Sequence, residues 1–266
     1  MEIKGIIHAH SEYSYDAKLT LSELRALCIQ EGLQFACMTE HTDELTSERA
    51  AAFVLECDAL SDEVFRFIPG FEVPYRRAHI LMIGSRVFEG TYAPTIDALR
   101  VWTEKSPFVV LAHPVRNNFE VADDLLAEID ALEVWNQQYE GKRVPRIRSL
   151  ALLRTLRAKK PELVATAGVD LHRKEHMGSP CITLAVDHFS EKEIIEKLAQ
   201  GAFVASSPYA SLYGTLPDIN EKIRVYRMQS HLSVFVIMLG KMVNKILATF
   251  GVSLPKSLKV LIRKKI

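Results

Sequence analysis

Short apolar, β-branched runs alternate with stretches of helical periodicity along most of the chain. "IKGIIHAH" precedes "LTLSELRALCIQEG", where Leu21, Leu24, Leu27 and Cys28 recur at helical spacing and Ser22 lies near the start. "FACMTEH" precedes "SERAAAFVLECDAL", and "FRFIPGFEV", "AHILMIG", "FVVLAHP", "ALEVWN", "LVATAGVDLH" and "CITLAVD" follow. Helical stretches such as "TIDALRVWTEK" and "EKEIIEKLAQG" separate most of them. Strand–helix alternation repeated this often predicts an α/β protein with a parallel sheet, and the number of units favours a closed barrel.

The polar residues that interrupt this pattern fall in particular places. His8 and His10 end the first run, His41 the second, and Glu72 the third, within "PGFEV". His113 closes "FVVLAH", Asp170 and His172 close "ATAGVDLH", and Asp16 follows the first pair within "IIHAHSEYSYDA". In a strand, residues i and i+2 share a face, so His8 and His10 are expected to project together. These are the carboxyl ends of strands, where a (β/α) barrel gathers its functional groups. His79 is the exception, because it begins "AHILMIG".

A lone histidine at a strand end is ordinarily a hydrogen-bonded structural residue. Six histidines and three carboxylates with one plausible meeting place are another matter, since burying so many ionisable groups unpaired would cost several kcal/mol each. Bound cations remove that cost, and imidazole with carboxylate but without thiolate suits Zn²⁺, Mn²⁺ or Fe²⁺. The set is too large for one ion and sufficient for two or three, with a carboxylate such as Glu72 able to bridge. Closely spaced ions of this kind clamp phosphoryl groups and activate water.

Composition adds compartment and boundaries. The chain has 266 residues, 48% hydrophobic and 25% charged, which fits a soluble globular domain with an appendage. Cys28, Cys37, Cys57 and Cys181 are scattered, without a C-x-x-C pair, and are expected to be reduced thiols of a cytoplasmic protein. "MEIKGIIHAH" has no basic region leading into a long apolar run, so no secretory signal is expected. The formal net charge of zero conceals an asymmetry: residues 216–266 hold ten Lys/Arg against Asp218 and Glu221. That segment is therefore +8 and the rest −8, which predicts a domain of residues 1–215 and a basic, amphipathic helical extension of residues 216–266.

"HAHSEYSYDAKLTLSEL", "TEHTD", "GFEV", "HILMIG", "AHP" and "GVDLH" occur in the order and rough spacing of the polymerase and histidinol phosphatase (PHP) superfamily, which residues 3–207 resemble. The resemblance implies a distorted (β/α)7 TIM-like barrel with a trinuclear metal site. By motif, His8, His10, Glu72 and Asp170 would hold the first ion. Glu72, His79 and His113 would hold the second, and Asp16, His41 and His172 the third. It also implies a hydrolase in which hydroxide between the first two ions attacks phosphorus, with Glu72 and Asp170 central to catalysis.

The expected function is thus that of a metal-dependent phosphoesterase, a PHP-type phosphoric ester hydrolase, acting on a small phosphorylated molecule. "TEH" around His41 resembles the histidinol phosphatase branch and favours a phosphomonoester. A nucleotide phosphodiesterase or exonuclease is the alternative, although a −8 barrel disfavours long nucleic acid. A metal-stabilised scaffold recruited through its tail is a third reading. Arg116 is the first choice for a bidentate grip on phosphate, followed by Arg143 and Arg173. His176 is a candidate substrate contact, His188 and His231 lie outside every motif, and Trp102 and Trp135 read as core. In the tail, residues 231–252 are the most apolar stretch, but Met228 to Gly240, 13 residues, is the longest run without charge. About 18 are needed to cross a bilayer. Its apolar face is expected to pack on the barrel, to self-associate, or to lie on a membrane surface with its lysines on anionic lipid.

Overall fold

In the computed structural model, which describes residues 1–140, 143–226 and 242, the apolar runs become twelve strands. They are β1 (Glu2–Ala9), β2 (Phe35–Met38), β3 (Glu40–His41), β4 (Arg66–Ile68), β5 (Gly70–Tyr75) and β6 (Ala78–Ile83). Then come β7 (Phe108–Leu111), β8 (Ala131–Asn136), β9 (Val164–Gly168), β10 (Cys181–Ala185), β11 (Phe203–Ser206) and β12 (Ser211–Tyr213). Two runs that read as single strands are each split. "FACMTEH" breaks at Thr39 into β2 and β3, and "FRFIPGFEV" breaks at Pro69, which has no N–H to give to a ladder, into β4 and β5. The halves belong to different sheets, ordered β12-β11-β10-β1-β2-β4 and β3-β5-β6-β7-β8-β9.

These splits carry the chain from one sheet to the other. On the far side, β9 returns alongside β1: Val169 N–H donates to Ile7 O at 2.9 Å, Leu171 N–H to His8 O at 3.1 Å, and His10 N–H to Leu171 O at 2.8 Å. Counting β2–β3 and β4–β5 as one stave each, seven staves run full circle. The expected parallel sheet is in fact mixed. β6 runs antiparallel to both β5 and β7, and the neighbouring pairs β1–β10, β10–β11 and β11–β12 are antiparallel as well. Only Arg76 and Arg77 join β5 to β6, too short a link for the crossover that a parallel pair requires.

Seven helices alternate with the strands among the described residues: α1 (Leu21–Gln30), α2 (Ser47–Ala59), α3 (Ile96–Thr103), α4 (Asp123–Glu128), α5 (Gln137–Glu140), α6 (Ile147–Arg157) and α7 (Glu191–Ala199). α1 begins before Ser22. Thr20 is its N-cap and forms a capping box with Glu23. Thr46, Thr95 and Ser190 cap α2, α3 and α7 through their hydroxyls. The core is aliphatic and aromatic. Trp102 and Trp135 are buried, and Trp102 meets Phe71 edge-on with ring centroids 5.4 Å apart. Cys28, Cys37 and Cys57 are buried free thiols, and Cys181 is half-buried.

The chain divides into a unit of Met1–Pro217 and a second of Asp218–Ile266. In the second unit, residues 219–226 are helical. The apolar stretch 231–252, apart from Met242, and His231 lie outside the described residues. No helix among the described residues is long and apolar enough to cross a membrane.

Candidate metal centre

β1 ends in a bulge. Its register against β2 shifts between Ile7 and Ala9, and His8 sits in the left-handed region at φ 67°. Simple strand alternation therefore does not place the two histidines. The bulge re-aims His8, and both imidazoles end fully buried with centroids 5.3 Å apart. Asp170 at φ 53° and His113 at φ 21° also have positive φ. Non-glycine residues held there cost about 1–3 kcal/mol each and cluster where geometry serves function.

The side chains converge in three groups around Glu72, which is fully buried. His8 Nε2 lies 2.9 Å from Glu72 Oε2 and 3.5 Å from Asp170 Oδ1, and His10 Nε2 lies 3.3 and 3.5 Å from the same two oxygens. The other Glu72 oxygen, Oε1, faces His113 Nε2 at 3.0 Å and touches His79 Nδ1. In the third group His172 Nε2 lies 3.2 Å from Asp16 Oδ2 and 3.4 Å from His41 Nε2, with His41 Nε2 3.7 Å from Asp16 Oδ1. All nine residues singled out in the sequence are brought together. His79 joins them because β6 runs opposite to its neighbours, so its start lies where the others end.

Several residues that support this cluster were not singled out in the sequence. Glu133, buried on β8, accepts from His8 Nδ1 at 2.9 Å, His113 N–H at 2.8 Å and Asn136 Nδ2 at 2.9 Å. Asn136 Nδ2 also reaches Asp170 Oδ2 at 3.3 Å. Glu40 accepts from Ser11 N–H at 2.9 Å, Ser11 Oγ at 2.7 Å and Ser14 Oγ, and that Ser14 hydroxyl lies 3.3 Å from His10 Nδ1. The available signal was a carboxylate inside each apolar strand, "ALEVWN" and "CMTEH".

The electrostatics describe a site that calls for positive charge. Burial alone would pull His8 and His10 down. Asp170, Glu133 and Glu72 instead hold His8 well above its usual range, and Asp170 and Glu72 raise His10 to about 9. Against the same burial penalty, His8 and its neighbours hold the Glu72 and Asp170 carboxyls low. Burial and the adjacent His10 pull His41 down to about 3, so its imidazole stays neutral with one nitrogen lone pair to offer. His10 Nε2 and His41 Nδ1 are buried without a hydrogen bond. Four triads have donor atoms within 4.8 Å of one another: His8–His10–Glu72, His8–His113–Asp170, His41–Glu72–His79 and His10–His41–His172. The donor set, its anionic charge and its orphaned nitrogens fit divalent ions with imidazole and carboxylate ligands.

A cavity of about 270 Å³ opens over the cluster, with Glu72, His41, His113, Asp170 and His172 in its lining and Arg116, Arg173 and His176 beside them. Tyr15, Gln138 and Tyr139, none of which was singled out in the sequence, complete the wall. Arg143 is not part of it. Its guanidinium lies over the Tyr209 ring, 4.9 Å from the centroid. His188 is elsewhere too, its N–H donating to Glu193.

Residues 7–114 match the family model of the PHP domain. Over 80 residues, 27% of this chain and 14% of the relative, the sequence is 35% identical to the DNA polymerase/3'-5' exonuclease PolX of Bacillus subtilis (strain 168). A two-domain protein from Bacteroides vulgatus, described as containing a predicted PHP-like metal-dependent phosphoesterase, superposes with a TM-score of 0.55 at 14% identity. The match covers 78% of this chain and 65% of that one. Endonuclease Q, in complex with a 27-mer duplex substrate with an abasic lesion at the active site, gives a TM-score of 0.55 at 16% identity, covering 76% and 57%. This chain spans less than two thirds of each of these proteins. At such identities the structural likeness concerns the fold.

Proposed function

We propose that the chain, whose residues 7–114 match the PHP domain, is a metal-dependent phosphoesterase that hydrolyses a small phosphorylated molecule, with phosphomonoesters preferred. The observation that carries this reading is the meeting of three donor groups around one carboxylate, Glu72, beneath a cavity with two arginines in its wall. His8, His10, Glu72 and Asp170 would hold one ion, Glu72, His79 and His113 a second, and Asp16, His41 and His172 a third. Two or three Zn²⁺, Mn²⁺ or Fe²⁺ ions there would supply Lewis acidity and a nucleophilic water near neutral pH.

The chain's own residues supply the remainder. Glu72 offers one oxygen to each of two donor groups and so fixes their spacing. Arg116 presents a guanidinium to the phosphate oxygens, with Arg173 as a second. The cavity has room for a phosphate and a small group attached to it, and the −8 charge of residues 1–215 repels a long polyanion. The proposal includes a barrel of residues 1–215 with a separable extension of residues 216–266, in the cytoplasm, where four free thiols persist. The likeness to PolX and endonuclease Q favours a second reading, a nuclease acting on nucleotides or DNA.

One set of measurements tests both. Protein purified without chelator and supplied with metals should hold at least two ions per chain and lose phosphoester hydrolysis on chelation. Asp170→Asn should lower turnover about 10²-fold or more, while His188→Ala stays within a few-fold. Fewer than one ion per chain, or equal losses in the two variants, would sink the assignment. Faster turnover of diesters or DNA than of monoesters would move the function to the nuclease reading.

A further inference from the structure

The geometry points to Glu133 and Asn136 as a paired positioning unit that sets the metal donors and ties them to the rim of the substrate cavity. The inference rests on the metal-dependent reading above and adds two residues to it. Glu133 contacts two proposed ligands directly. Its Oε1 accepts a hydrogen bond from His8 Nδ1–H at 2.9 Å, which leaves His8 Nε2 to face Glu72 and Asp170. Its Oε2 takes the His113 N–H at 2.8 Å, holding the backbone at the residue with φ 21°. A carboxylate on the far nitrogen fixes the tautomer and orientation of a metal-binding imidazole.

Asn136 works at both of its ends. Its Nδ2 donates to Glu133 Oε2 at 2.9 Å and lies 3.3 Å from Asp170 Oδ2, so it sets a second and a third carboxylate oxygen relative to each other. Its Oδ1 accepts from Gln138 N–H at 2.9 Å and Tyr139 N–H at 3.2 Å. The Oδ1 end is thereby committed to backbone donors, and the amide cannot turn over without losing them. Gln138 and Tyr139 are cavity-wall residues, and Tyr139 packs against the His113 ring with centroids 4.9 Å apart. A single side chain thus joins the Asp170 end of the cluster to the wall that would meet substrate.

This arrangement makes the pair intolerant of an isosteric change. In Glu133→Gln one acceptor becomes an NH₂ group, facing either His8 Nδ1–H or the His113 and Asn136 donors. Asn136 cannot adapt, because its Oδ1 already serves Gln138 and Tyr139. Asn136→Ser separates the two duties, since a serine hydroxyl can still accept from the following backbone N–H groups but does not reach Glu133 or Asp170. Asn136→Ala removes both.

The test is Zn²⁺ affinity of the full-length chain by competition with a chromogenic chelator, alongside kcat and KM for p-nitrophenyl phosphate. Thermal unfolding of the metal-stripped proteins serves as the control for folding. Glu133→Gln and Asn136→Ser should each weaken Zn²⁺ binding about 10-fold or more. Asn136→Ser should leave KM unchanged at saturating Zn²⁺, and Asn136→Ala should raise it. A merely structural role would lower the melting temperature of the metal-stripped protein and leave the affinity of its folded fraction intact. Wild-type Zn²⁺ affinity in a folded Glu133→Gln or Asn136→Ser protein would overturn the inference. If Glu133→Gln does not fold, the serine variant decides alone. Wild-type protein that binds no Zn²⁺ would instead remove the metal-dependent reading, and this inference with it.

Discussion

At Gly168 a missing methyl group decides where Glu133 can stand. A Cβ placed there would fall 2.0 Å from Glu133 Oε1 and 2.7 Å from His8 Cβ, closer than any real contact. Gly168→Ala should therefore displace the carboxylate from His8, weakening Zn²⁺ binding about 10-fold or more and costing about 1–3 kcal/mol of stability from overpacking. Chelator competition and urea unfolding would measure the two effects, and unchanged affinity would mean that Glu133 is not held by this close fit. Residues of this kind explain where sequence reading stops. His8, His10 and Asp170 were legible because two alternating imidazoles, or a carboxylate beside a histidine, are poor candidates for core. Glu133 and Glu40 were not, because their roles depend on partners 125 and 29 residues away, His8 and Ser11. The bulge at His8 was equally invisible, since its side chain and spacing are those of a plain strand.

At the scale of elements, periodicity located most strands and the main helices, but it carried no direction. β6 is as apolar as its neighbours, and only the two-residue link from β5 reveals that it is reversed. That reversal is what turns His79 from an exception into a member of the cluster. β11 and β12 escaped notice because their burial alternates over only four and three residues. The sequence puts Ser22 near the start of α1, whereas the cap is made by Thr20 and Glu23, which stand three apart before an apolar run. Thr20 accepts from the Glu23 N–H at 3.1 Å, and the Glu23 carboxylate accepts from the Thr20 N–H at 2.9 Å. Thr20→Ala should cost about 0.5–2 kcal/mol and leave the number of bound ions unchanged. A lower urea midpoint with full metal content is the expected result. A loss of metal would show that the cap also holds the loop carrying Asp16.

For the molecule as a whole, the charge asymmetry places a boundary near residue 216, and the chain divides between Pro217 and Asp218. The residues just before that division are fastened to the barrel. Gly214 O accepts from Ala165 N–H of β9 at 2.8 Å and from Arg157 Nη2 at 3.3 Å, and Leu216 O accepts from Arg157 Nη1 at 3.1 Å. A chain ending at Tyr213 would strip these acceptors from the half-buried Arg157 and from the buried Ala165 N–H, the latter at about 1–3 kcal/mol if left unsatisfied. It should therefore unfold at lower urea than a chain ending at Pro217. Equal midpoints would mean that the strap contributes nothing to β9. The ring of staves has a further consequence. Its last join, between β9 and β1, is made by Val169, Leu171 and His10 N–H groups, and the cluster straddles it, with His8 and His10 on one lip and Asp170 and His172 on the other. Opening that seam pulls the donors apart, so ions bound across it would act as a clasp. Their binding energy would add to the stability of the ring itself, making release of metal and parting of the seam a single event.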